Sequence, residues 1–128
     1  MLSLIETRNR HFLAACREII ANLPAGEEIN LARVAEEAAQ SPAPHYYCTF
    51  TYALRMIRLL RHGRLPLRND RRRLLWEELN IKTAIVMARR GCRLPEALSF
   101  VLAGGSASRF FIAPTTAHRL VQRLRARA

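Results

Sequence analysis

Two stretches of the chain decide its fold: residues 41–60, SPAPHYYCTFTYALRMIRLL, and residues 105–124, GSASRFFIAPTTAHRLVQRL. They align without a gap at an offset of 64 residues, which is half of the 128-residue length. An aromatic pair, Tyr46-Tyr47 or Phe110-Phe111, stands before the same apolar pattern in both. Identical residues meet at Ala43 and Ala107, Thr51 and Thr115, Ala53 and Ala117, Arg55 and Arg119, and Leu60 and Leu124. The alignment indicates an internal repeat.

The same offset continues toward the N-terminus, where four further pairs match. They are Val34 and Leu98, Ala39 and Ala103, Phe12 and Trp76, and Arg8 and Arg72. We therefore predict two repeat units, copy one over residues 1–64 and copy two over residues 65–128. The link from Gly63 to Asp70 is too short to separate two independent domains widely, so we expect one compact, pseudo-symmetric body.

Each copy predicts three helices, which makes the chain all-α with about six helices. In copy one, apolar residues recur at helical spacing from Phe12 to Leu23, and Asn30 can cap a second helix. The prolines at 42 and 44 exclude helix from the next segment, after which Thr49 or Thr51 can cap a third helix. In copy two the expected helices run over residues 74–90, from Pro95 through residue 103, and over residues 114–125.

The third helix of each copy has an outward face suited to nucleic acid. In copy two this face carries Thr115, Arg119, Gln122 and Arg123, with His118 on its flank. In copy one it carries Thr51, Arg55, Arg58 and His62, with Leu59 among them. Such side chains can contact base edges and phosphates from the major groove. The arrangement is helix-turn-helix-like, although the loop of about nine residues is longer than the usual turn of three or four. The alternative interpretation is an ordinary polar helix surface.

Charge favours a polyanionic partner. The chain has 21 basic and 10 acidic residues, for a formal net charge of +11. Copy one carries a net +2 and copy two a net +9, so we expect copy two to be the main anion-binding half. The run Arg71–Arg73 opens a predicted helix, where cations oppose the helix dipole, and this position mildly favours an external anion. The alternative is an arginine-rich composition that serves only solubility.

We therefore predict a small nucleic-acid-binding protein, with DNA favoured over RNA, that uses the third helix and basic patch of copy two. The candidate contact residues are Arg71, Arg72, Arg73, Arg109, Thr115, His118, Arg119, Gln122, Arg123, Arg125, Arg55 and Arg58. The alternative is a protein-interaction module or homo-oligomeric scaffold without a nucleic-acid role. Leu59, which stands where copy two has Arg123, favours that alternative.

Other classes of function find little support in the sequence. Adjacent glutamates, four scattered histidines and three unpaired cysteines match no catalytic, cofactor-binding or metal-ligand spacing, so we expect no enzyme activity, cofactor or metal. The aromatic pairs could stack on bases, but core packing is the favoured interpretation. No apolar stretch is long enough for a membrane span and no secretion signal is visible, so we expect a cytoplasmic location and no membrane partner.

Overall fold

The computed structural model describes residues 3–65 and 70–126, and these residues form six α-helices. Helix, turn and loop account for this part of the chain, together with a single isolated β-bridge. The all-α prediction is confirmed. The helices are α1 (Leu4–Ala21), α2 (Leu31–Ala39), α3 (Phe50–Arg61), α4 (Asp70–Arg90), α5 (Leu94–Gly104) and α6 (Pro114–Ala126).

The helix boundaries follow from local capping chemistry. Ser3 and Glu6 form a capping box at the start of α1, and the Asn30 side chain accepts the Arg33 amide at the start of α2. Thr49, one of the two predicted caps, accepts the Tyr52 amide at the start of α3. Gly91 has φ +62° directly after α4, a left-handed conformation that glycine adopts at helix ends without strain.

Helix α4 begins four residues earlier than predicted, at Asp70 instead of Leu74. Arginine is a strong helix former, and Arg73 forms an ion pair with Glu77 one turn later. Both effects extend the helix through the basic run. The hydrophobic pattern could not show this extension, because the first turn contributes little to the core.

The chain divides into two compact units that exchange the third helix of the repeat. Unit 1 comprises Met1–Tyr47 and Ser106–Ala128, and unit 2 comprises Cys48–Gly105. Unit 1 therefore contains α1 and α2 of copy one with α6 of copy two, and unit 2 contains α4 and α5 of copy two with α3 of copy one. The predicted boundary at residue 64 concerns the sequence repeat and stays a prediction, as does a pseudo-symmetric body.

Helix packing follows the same scheme in both units. In unit 1, α2 packs against α6, and α1 packs against both of them. In unit 2, α5 packs against α4, and α3 packs against both of them. Each second helix thus pairs with the third helix of the other copy. This differs from the predicted helix-turn-helix, in which the second and third helices of one copy pack together.

The segment that precedes each third helix explains the exchange. Ala43 and Ala107, which are repeat equivalents, pair by two backbone hydrogen bonds of 3.0 and 2.9 Å. The Phe110 amide also donates to the carbonyl of Ala39 at 3.2 Å. Tyr47 and Phe111, again repeat equivalents, have left-handed φ values of 55° and 53°. An extended segment and a left-handed residue lead the chain away from the preceding helix, so a tight helical turn cannot form.

Several residues that the sequence alignment pairs are buried, one in each unit. Phe12 and Trp76 are fully buried, and so are Ile57 and Val121. The first residue of each aromatic pair also lies in a core: Tyr46 is 5% exposed and Phe110 is 4% exposed. Core packing of these two aromatic residues is therefore confirmed.

Among the described helices, none combines the length and the apolar character that crossing a bilayer requires.

The contact between Phe12 of α1 and Phe110 of copy two tests the exchange in unit 1. Their rings meet edge to face with centroids 5.7 Å apart. We expect a double-mutant cycle with F12L and F110L to give a coupling of about 0.5–1.5 kcal/mol in urea unfolding. As the control, F12L combined with T115A should be additive within about 0.5 kcal/mol, because Thr115 is exposed on α6. Additive behaviour of the two phenylalanines would contradict the packing of unit 1.

Candidate nucleic-acid interface

The helix exchange divides the predicted contact residues between the two units. Five of them lie in unit 2: Arg55, Arg58, Arg71, Arg72 and Arg73. Six lie in unit 1: Arg109, Thr115, His118, Arg119, Gln122 and Arg123. The side chain of Arg125 lies outside the described residues. The basic run at the start of α4 therefore shares a unit with α3, not with α6.

The excess positive charge belongs mainly to unit 2. This unit contains twelve basic and four acidic residues, for a net +8, whereas unit 1 contains nine and six, for a net +3. Four of the twelve basic residues of unit 2 belong to copy one and lie in the segment from Arg55 to Arg64. The strongest electrostatic attraction for a polyanion is therefore expected at unit 2.

A basic concavity follows the outward side of α3, which we call the α3 surface. Its volume is about 390 Å³. It is lined by Thr51, Leu54, Arg55, Arg58, Leu59, His62 and Arg64. Thr51, Arg55, Arg58 and His62 recur at helical spacing opposite the buried residues Ala53, Met56 and Ile57. The sequence-predicted face of α3 thus forms one continuous surface, which includes Leu59 and is extended by Arg64.

The guanidinium groups of the α3 surface are available to a ligand. Among the described side chains, none that lines this concavity is acidic. Within residues 3–65 and 70–126, Arg55, Arg58 and Arg64 form no ion pair. Arg61, one turn from Arg58, has a structural role instead: its Nε donates to Oδ1 of Asn80 on α4 at 2.7 Å. The structure thus separates arginines that join helices from arginines that face solvent.

The three arginines at the start of α4, Arg71–Arg73, differ in their surroundings although they are consecutive in the sequence. Arg73 is bound to Glu77 through Nε and Oε1 at 2.9 Å, and Arg71 also has an interaction partner. Arg72 is exposed, and its charge opposes part of the effect that burial has on the pKa of Cys48, which is raised to about 11. Of the three, Arg72 is the one best placed to meet an external anion.

Unit 1 presents the corresponding face of α6. Thr115, His118, Arg119 and Arg123 are exposed there, and Gln122 is half-buried. Arg109, in contrast, lies over the ring of Phe111, with its guanidinium carbon 5.7 Å from the ring centroid. Arg109 thus makes a cation–π contact with Phe111, the residue whose backbone is left-handed.

A second basic concavity, the α1–α6 surface, was missed by the sequence analysis. Its volume is about 850 Å³. Its lining includes three arginines, Arg10 and Arg17 of α1 and Arg123 of α6. The remaining lining residues are Glu6, Thr7, Asn9, His11, Leu13 and Ala14. The seven-residue spacing of Arg10 and Arg17 places both on one side of α1 and could have been noticed, but their proximity to Arg123 depends on the helix exchange.

Beside this surface, His11 belongs to an aromatic cluster with His45 and Tyr47. The hydroxyl of Tyr47 is hydrogen-bonded to Nδ1 of His11, and the Tyr47 ring stacks on Phe110. Burial raises the pKa of Tyr47 to about 12, so the phenol keeps its proton and can donate it to a neutral imidazole. Burial, followed by the charges of His45 and Arg10, lowers the pKa of His11 and favours that neutral ring.

Potential metal ligands are dispersed over the described residues. Within these residues, no three His, Cys, Asp or Glu side chains come close enough together to hold a metal ion. Cys16, Cys48 and Cys92 are free thiols, and burial raises the pKa of Cys16 to about 11. A thiol with such a pKa is a weak nucleophile near neutral pH.

Comparison of the chain with protein-family models, curated protein sequences and solved structures finds no significant match.

The lowered pKa of His11 predicts a pH dependence of folding. Just below the ordinary pKa of 6.5 the unfolded chain binds a proton at His11 more readily than the folded chain does. The free energy of unfolding should therefore fall as the pH drops below about 6.5. We expect H11Q to flatten this dependence in urea unfolding between pH 7 and pH 5. H118Q, which replaces an exposed histidine of α6 in the same unit, is the comparison variant. A steeper or unchanged slope in H11Q would contradict the assignment.

Proposed function

We propose that the protein binds duplex DNA through the α3 surface of unit 2. The observation that carries this proposal is the grouping of Arg55, Arg58 and Arg64 in one concavity beside Thr51 and His62, with no acid among its described lining residues. Binding would release counterions from the phosphates, which makes the affinity strongly dependent on salt. The proposal includes a cytoplasmic location, and it assigns no catalytic step to the protein.

Helix dimensions support contact with a major groove. Helix α3 has 12 residues, which corresponds to a length of about 18 Å. A B-DNA major groove is about 12 Å wide and accepts one α-helix, with the outward stripe facing base edges. Arg55 and Arg58 would then reach guanine edges or phosphates through their planar forks, and Arg64 would lie beyond the helix end, near the backbone.

The proposal shifts the main contact from the third helix of copy two to the third helix of copy one. From the sequence, copy two was expected to carry the binding role because that copy has the larger net charge. The structural units distribute the charge differently, since α3 joins the arginine-rich helix α4 in unit 2. The greater potential of this unit favours α3 as the primary contact.

Helix α6 provides a second, chemically different contact in this proposal. Its stripe has Thr115 and Arg119 at the positions of Thr51 and Arg55, but Gln122 at the position of Arg58. Glutamine pairs with adenine through two hydrogen bonds, whereas arginine pairs with guanine in the same way. The two third helices would therefore prefer different bases. The α1–α6 surface would add phosphate contacts to α6 through Arg10 and Arg17.

Removal of the arginines of the α3 surface tests the proposal. We expect the R55A/R58A/R64A variant to lose at least about tenfold in affinity for a random duplex DNA at low salt, because three phosphate or base contacts disappear. The slope of log K against log salt should become less steep by about 2–3. Fluorescence anisotropy of a labelled duplex at several salt concentrations measures both quantities.

The matched control is the R89A/R90A/R93A variant. It removes the same charge from the same unit but leaves the α3 surface intact. We expect it to lower the affinity less than the first triple variant and to keep most of the salt slope. Equal losses of DNA affinity in both variants would mean that binding depends on the net charge of unit 2 and not on the α3 surface. No binding of the unchanged protein to duplex DNA at low salt would refute the proposed function.

A further inference from the structure

Two leucines lie among the basic residues of the α3 surface. Leu54 and Leu59 both line its concavity, and each is half-buried, so part of each side chain is open to a ligand there. The proposed function uses the polar residues of this surface and gives these two leucines no role. A ligand that fills the concavity covers aliphatic surface as well as arginines, so an apolar group on the ligand is favoured next to the leucines.

Helix packing does not by itself require leucine at these two positions. Helix α6 has the same kind of buried inward face as α3, and the sequence alignment pairs Leu54 with His118 and Leu59 with Arg123. Both of these polar residues are exposed on α6. A third helix of this chain therefore packs through its inward face with polar groups at the two positions. Core packing alone does not explain the leucines of α3.

Each of the two leucines lies one helical turn from an arginine. Leu54 precedes Arg58 by four residues, and Arg55 precedes Leu59 by four residues. Side chains at this spacing are neighbours on a helix, with Cβ atoms about 5–6 Å apart. The leucines themselves are about 140° apart around the helix axis, so they do not form one apolar patch. The α3 surface thus presents two separate pairs, each with one aliphatic group and one arginine fork.

A pyrimidine with a C5-methyl group, next to a guanine, matches such a pair. In the major groove, arginine forms two hydrogen bonds with O6 and N7 of guanine, and the C5-methyl group of thymine accepts apolar contacts. The 5-methyl group of 5-methylcytosine occupies the same ring position. Successive base pairs are about 3.4 Å apart, so neighbouring side chains of one helix can reach a guanine edge and an adjacent methyl group. Within the described residues Arg55 and Arg58 form no ion pair, which leaves their forks open to guanine.

An apolar face of a protein partner fits these leucines less well. A partner helix covers a continuous apolar row, whereas Leu54 and Leu59 lie on opposite sides of a stripe that carries Thr51, Arg58 and His62. A protein that covered both leucines would also bury the Arg58 guanidinium, and no acid is present among the described lining residues to pair with it. Duplex DNA supplies methyl groups and hydrogen-bond acceptors side by side.

We propose that the α3 surface recognises a C5-methylated pyrimidine, thymine or 5-methylcytosine, next to a guanine in duplex DNA. Arg55 and Arg58 bind guanine edges, and Leu54 and Leu59 pack on the adjacent methyl groups. This inference rests on the proposed function, since it names the base pairs that the same surface prefers. Uracil replaces thymine in RNA and lacks this methyl group, and side chains cannot read the narrow major groove of RNA helices, so the surface favours DNA.

Selection of duplexes, followed by removal of single methyl groups, tests the proposal. The probe is a library of random duplex DNA, from which the full-length protein selects the tightest binders. We expect the selected duplexes to contain thymine next to guanine. Replacing such a thymine by uracil removes only the methyl group, and the affinity should fall about fourfold for each methyl, as measured by fluorescence anisotropy.

A second matched pair of duplexes distinguishes the two sources of the methyl group. It carries cytosine or 5-methylcytosine at the same position, opposite guanine, and we expect the methylated duplex to bind about fourfold more tightly. A difference in only one of the two pairs supports the proposal and identifies thymine or 5-methylcytosine as the base that is recognised. Equal affinities within both pairs would overturn it.

The L54A/L59A variant tests the role of the two leucines. It should bind the thymine and uracil duplexes with nearly equal affinity, because the groups that pack on the methyls are gone. L54H/L59R, which introduces the residues of α6, should abolish the same difference, and circular dichroism checks that both variants keep their helices. The matched control is L74A, which truncates an exposed leucine of unit 2 outside the α3 surface and should keep the difference of about fourfold.

This proposal and the proposed function fail in different ways. Salt-dependent binding of duplex DNA without any effect of the methyl groups overturns the present proposal and leaves the proposed function intact. A thymine–uracil difference that persists in L54A/L59A overturns the assignment to the leucines, as does selection of duplexes that lack a methylated pyrimidine next to guanine. No binding of the unchanged protein to any duplex at low salt overturns both proposals.

Discussion

The architecture depends on how the backbone runs between the second and third helices of each copy. In this segment Ala43 and Ala107 exchange two hydrogen bonds, and Tyr47 and Phe111 adopt left-handed backbone conformations. A non-glycine residue in this region costs free energy, on the order of 1 kcal/mol or more, and persists only where surrounding contacts compensate for it. Tyr47 has such contacts through its hydrogen bond to His11 and its stacking on Phe110. Because these segments direct each third helix to the other copy's helices, they also determine which arginines share a unit.

Local sequence patterns were sufficient to predict the helices, but they did not predict which helices pack against each other. Asn30, Thr49 and Gly91 mark helix ends through capping and left-handed geometry, which depend only on neighbouring residues. The partner of a third helix is a different problem, because α3 and α6 have nearly the same inward pattern. Met56 and Ile57 correspond to Leu120 and Val121, so either helix satisfies the hydrophobic periodicity of either unit.

The candidate site was predictable to a similar extent. The outward residues of α3 and α6 follow from helical spacing, and the structure places Arg55 and Arg58 on one surface. The proximity of Arg123 to Arg10 and Arg17 could not be read from the sequence, since it requires α6 to lie against α1. The same limitation applies to Arg61 and Asn80, whose hydrogen bond distinguishes a structural arginine from its neighbours.

Trp76 provides the most direct measurement of the helix exchange, because it is the single tryptophan of the chain. In unit 2 the ring of Tyr52, from α3 of copy one, meets this indole edge to face with centroids 5.5 Å apart. A nuclear Overhauser experiment on the full-length protein should show cross-peaks between the Trp76 indole protons and the Tyr52 ring protons. If the indole instead shows cross-peaks to residues 114–126, the third helix of copy two packs within its own copy and the exchange is contradicted.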